Sequence, residues 1–200
     1  MHGIDYPLMI PPITKSFDDF NAKEVKQHFD WYVAQSDARI KQLQRYIAET
    51  GSLEMVLDGT IESLVPLWKW FEGNIKTEKK TEEEIEAELV GRPEWVHPQI
   101  KEMNWKLTVL TLALTVDISF YFAKVFIDHN PSIKWGYRTK PKSLVSVNKP
   151  VLVGFRNRVI MDPRQVVRVC CLKSVDEKDE TRLLDLYNVW TDVLPEKVSY

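Results

Sequence analysis

The feature that most constrains this chain is the run Leu107 to Ile127, which is long enough to cross a bilayer yet carries Asp117 at its middle. A carboxylate at that depth costs about 2.5–3.5 kcal/mol even on lenient insertion scales. Lys124 and several hydroxyls add to the mismatch. The run therefore reads as the central helix of a globular domain, apolar all round because other elements cover it. With 44% hydrophobic and 28% charged residues in 200, the chain has the composition of a folded domain and can bury a core without staples.

Elements flank this helix in a legible order. Asn21 is an N-cap, and Val25, Phe29, Val33, Ile40, Leu43 and Ile47 fall on one stripe, which predicts a long helix over 22–50, stopped by Gly51. A kink near Ser36 and Asp37 is the alternative. Glu54 to Leu57 reads as a short strand or extended lead-in before the Asp58-Gly59 turn. Leu64, Val65, Trp68 and Phe71 mark the next helix, with Ser63 as its cap and Pro66 in its first turn. Residues 76–88 are an exposed charged linker or a short helix with a Thr81–Glu84 capping box. The central helix is placed at about 104–128, ended by Asn130-Pro131.

Beyond it, β-branched and aromatic residues predict a small antiparallel sheet over about 133–155. Asp162-Pro163 opens a further helix, and Leu183 to Trp190 lie on a last one. The expectation is a mainly α (α+β) fold, a single domain over 1–200 with an extended N-terminal arm at 1–15.

Chemistry is harder to find. His2, His28, His97 and His129 are isolated, which gives no metal site, and Cys170 and Cys171 point about 100° apart on a helix, as packing residues do. With seven glycines and no nucleophile elbow, neither a phosphate loop nor an activated serine is present, so no catalytic residue and no cofactor is assigned. Asp117 stands out: it is either paired with a cation such as Arg156, Arg158 or Arg168 or with hydroxyl and backbone donors, or it is a catalytic or ligand-binding acid, with Tyr121 one turn on placed to share the network. Trp68 and Trp70 cannot both face the core, so Trp70, with Trp135, is a candidate partner-binding aromatic. Arg and aromatics interleave in 135–140 and 155–158, but a net charge of -2 argues against nucleic acid, and no membrane association is expected.

Leu57-Asp58, Glu62-Ser63-Leu64, Leu67-Trp68, the helix with Tyr121, Trp135, the Pro150 to Gly154 run and Asp162-Pro163 follow one another in an order that resembles a loose group of small bacterial proteins. That group is of unknown function and includes immunity proteins of toxin systems; Ala123 and Lys124 stand where it carries a glycine and an acid. The resemblance implies a helical protein with a small sheet and no established catalytic residue. The expected function is a non-catalytic, cytoplasmic protein-interaction module that binds and neutralises a cognate protein. The competing expectation is an enzyme or small-ligand binder using Asp117 and Tyr121.

Overall fold

A computed structural model describes residues 6–196; residues 1–5 of the expected arm, His2 among them, lie outside the described residues. Among the described residues the fold is mainly α, with seven α-helices and two small antiparallel sheets.

Helix α1 (Ala22–Glu49) begins in a complete capping box, in which Asn21 accepts from the Lys23 and Glu24 amides and Glu24 accepts from the Asn21 amide. No kink interrupts it. Its buried stripe runs through Val25, His28, Tyr32, Arg39, Leu43, Tyr46 and Ile47, so it is rotated from the expected one. Phe29, Val33 and Ile40 lie at its edge. The segment 54–57 forms no strand; it is an irregular lead-in tied down where Gln44 bridges the Met55 carbonyl and the Leu57 amide.

Helix α2 (Leu64–Asn74) buries Leu64, Leu67, Trp68 and Phe71. Ser63 sits at the N-cap position without capping, because its hydroxyl is turned back to the Thr60 carbonyl. Residues 76–88 are more ordered than a linker. Strand β1 (Thr77–Lys79) pairs with β2 (Trp105–Leu107), and α3 (Glu82–Leu89) starts from the Thr81–Glu84 capping box. Helix α4 (His97–Glu102) completes this excursion, and neither α3 nor α4 buries a residue.

Because β2 takes residues 105–107, the central helix starts later than expected, as α5 (Val109–His129) capped by Thr108. It is long and apolar enough to span a membrane by length and composition, with a mean hydropathy of 1.7, but 67% of that stretch is buried inside the fold. Strand β3 (Lys134–Gly136) pairs with β4 (Val151–Val153) in the expected antiparallel sheet, each strand only three residues long. Helix α6 (Pro163–Asp176) follows Asp162, which caps it by accepting from the Arg164 and Gln165 amides, and α7 (Arg182–Thr191) closes the chain. Helices α1 and α6 pack on α5, and α2 packs on α6 and α7. The core joins all of them through Leu43, Ile47, Trp68, Phe71, Leu114, Ile118, Phe122, Phe126, Val167, Leu183 and Tyr187.

Candidate functional site

Asp117 is fully buried on α5, and its charge is met from α1 rather than from Arg156, Arg158 or Arg168. Arg39 approaches it bidentately, Nε donating to Oδ1 and Nη2 to Oδ2, both at 2.7 Å. The Tyr6 hydroxyl donates to the same carboxylate, and Arg39 Nη1 donates to the Pro7 carbonyl at 2.8 Å. Four polar groups thus bind the arm, α1 and α5 into one knot. Burial pushes the Asp117 carboxyl above the ordinary range, against the opposing pull of Arg39 and Tyr6. Burial also works against the Arg39 charge, but hydrogen bonds and charge from Asp117 outweigh it and raise its pKa. Such a fork is the geometry of a paired carboxylate, with little freedom left to exchange protons with a substrate.

The structure does not bring Tyr121 into this network. Its hydroxyl accepts from the Gly59 amide at 2.9 Å and meets Ser63 Oγ at 2.5 Å. Since the Ser63 hydroxyl donates to Thr60, Tyr121 is the donor to Ser63. Burial raises its pKa, and the residue anchors the 58–63 turn onto α5. A small pocket of about 220 Å³ does reach the Asp117–Arg39 pair, but its other walls are Leu8, Met9, Val109, Leu112, Ala113 and Val116. It offers an aliphatic surface above a charge pair whose partners already face each other.

The two aromatic candidates are held by the fold. Trp70 is half-buried, donates to Thr50 Oγ1 at 3.2 Å and meets the Tyr46 ring edge-on. Trp135 on β3 is also half-buried and packs edge-on against Tyr32 and Phe120. The tryptophan that stands in solvent is Trp95, 80% exposed before α4. Both cysteines are free and buried, and burial pushes the Cys171 thiol up to about 12, as for inert packing residues. Among the described residues no group of His, Cys, Asp and Glu could hold a metal ion.

An open apolar groove of about 500 Å³ lies between α6 and α7. Val166, Val169 and Cys170 form one wall, and Leu186, Val189 and Trp190 the other. Lys173, Arg182, Asp179 and Asp185 stand on its rim. Val169 and Val189 are 39% and 61% exposed, while Trp190 is fixed from behind by Phe155, with ring centroids 5.2 Å apart. The corner between the two helices is pinned by Glu72 of α2, a buried acid that accepts from Trp68 Nε1, the Ser174 hydroxyl and the Asp179 amide. This fixes the groove's opening before any occupant arrives.

Sequence reasoning missed Arg39, Tyr6, Glu72 and the groove. Arg39 had a signal: it lies seven residues after Tyr32 and four before Leu43, on the buried face of α1. No protein-family model, curated protein or solved structure matches the chain.

Proposed function

We propose that this chain is a non-catalytic protein-interaction module that receives an amphipathic helix of a protein partner in the α6–α7 groove. The observation that carries the reading is that groove: an apolar trough between two helix walls, rimmed by charges of both signs. Val169 and Val189 are exposed aliphatics that a partner would cover, and Trp190 is a rigid aromatic anchor of the kind that dominates binding energy. Asp117 and Tyr121 are each held by separate partners within the fold, Arg39 and Ser63, which supports a structural role for both. The resemblance to small bacterial immunity proteins supports a cognate protein to be bound and neutralised as the partner.

The test is affinity capture with wild type beside Val169→Gln/Val189→Gln, two exposed substitutions that keep helix propensity. Wild type is expected to retain a stoichiometric protein that the variant loses at an unchanged Tm. Equal capture by both would overturn the groove as the binding site.

A further inference from the structure

The chain's charge is unevenly distributed. Residues 134–168 hold nine of its 27 Lys and Arg but only one of its 29 Asp and Glu, Asp162, so this stretch is strongly basic within a chain of net charge -2. The fold brings several of these cations together around Phe17. Lys149 and Arg164 both stand within 6 Å of the Phe17 ring, and Lys142 and Lys149 line an open pocket of about 460 Å³ with Ser16, Asp18 and the 85%-exposed Val145. Arg138 donates to the Arg158 carbonyl at 2.6 Å, which keeps those two together. Among the described residues Lys134, Lys140, Lys142, Lys149, Arg158 and Arg168 make no salt bridge within the chain. Two more cations lie on the elements that form the groove: Arg168 is exposed on α6, beside Val169, and Arg156, which also meets Glu196 at 3.9 Å, reaches the residues that follow α7 through the Val193 and Asp192 carbonyls.

We propose that this basic face docks an acidic segment of the protein partner, so that the partner is amphipathic with an acidic flank. The inference rests on the groove reading and gives its occupant a charge. Protein rather than nucleic acid follows from the aromatics of the same stretch. Trp135 and Phe155 are packed inward against Tyr32, Phe126 and Trp190, and Tyr137, 36% exposed, has Phe29 against it with ring centroids 4.9 Å apart, so the stretch offers one open ring and no row of rings on which bases could stack. Exposed Val145 among lysines instead suits a side chain of mixed character. Opposite charge also steers encounter.

Poly-L-glutamate serves as the probe, with oligo(dT) of matched charge number and phosphatidylserine vesicles as competitors. Wild type is expected to bind poly-L-glutamate in low salt and to weaken roughly tenfold as salt screens the contact. Lys142→Glu/Lys149→Glu/Arg158→Glu is expected to lose at least about tenfold in affinity, whereas Lys41→Glu/Arg92→Glu/Lys101→Glu, with the same net charge, keeps it. Equal loss in both triple variants, or no binding by wild type, overturns the proposal. Tighter binding of oligo(dT) or of the vesicles than of poly-L-glutamate overturns it in favour of those anions. Poly-L-glutamate has no apolar ridge to lay in the groove, so failure here leaves the groove reading intact, and loss of capture by the valine variant leaves this one intact.

Discussion

Asp117 and Arg39 illustrate how a buried ion pair is worth least when considered whole and most when halved. Asp117→Ala leaves a guanidinium that is 9% exposed with no anion, so urea unfolding should show a loss of about 3–5 kcal/mol. Asp117→Asn keeps the shape and an acceptor for Tyr6 and Arg39, and should lose less. Arg39→Met/Asp117→Leu removes both charges and should recover most of the Asp117→Ala loss, since the site around it is apolar. A double variant as unstable as the alanine variant would contradict the structural role. His28 is read through pH instead. Its ring is buried among Phe17, Phe20, Trp31 and Tyr32 with neither nitrogen hydrogen-bonded, and burial, aided by the Arg164 charge, lowers its pKa below the usual 6.5. A lowered folded-state pKa means that stability is complete above the unfolded value and declines as pH falls from about 6.5 toward the folded one. Melting curves of wild type and His28→Gln should therefore converge as pH drops from 7.5 to 5.5. Parallel curves would show that His28 does not titrate against folding.

Elements were legible where local chemistry decides them and obscure where distant partners do. The Asn21, Thr81 and Asp162 caps and the Pro163 start act within one turn, and each helix begins where its cap puts it. Strand β1 was hidden because Thr77–Lys79 is entirely exposed and has no alternation; it exists only through pairing with Trp105–Leu107. Ser63 has a capping residue's identity, but Tyr121, 58 residues away, holds its hydroxyl in another direction. The stripe of α1 was misplaced because its buried residues include His28, Tyr32 and Arg39, whose polar ends a hydrophobic count discards. The β3–β4 sheet includes a close backbone approach at its end. Gly154 has φ +109, and a Cβ there would lie 2.0 Å from the Ser132 carbonyl oxygen. Gly154→Ala should therefore destabilise the protein by at least about 2 kcal/mol in urea unfolding, against a small effect at an unstrained exposed site. A near-neutral result would mean that the strand end relaxes freely.

Across the whole molecule, stability is concentrated around α5 and thins toward the α3–α4 excursion, which buries no side chain. Limited proteolysis is expected to cut first within 82–103 and to spare 109–129; early cleavage in α5 would reverse that order of stability. The candidate site divides in the same way. Asp117 was visible in the sequence as a lone acid in an apolar run, but its partner comes from 78 residues earlier and its role as a tie for the arm only from the fold. The groove was invisible because periodicity puts Val166, Val169, Leu186 and Val189 on two amphipathic helices without saying which of them the core covers: Val166 and Leu186 pack partly against it, while Val169 and Val189 stay exposed. The basic stretch was countable from the start, yet a near-neutral total concealed it. Hydrogen exchange of the chain with its captured protein partner, compared with the chain alone, tests the account most directly. Protection is expected over 165–173 and 182–190, the two walls of the groove. Protection confined to 7–10 and 109–117, around the Asp117 pocket, would contradict it and return that acid to the functional site.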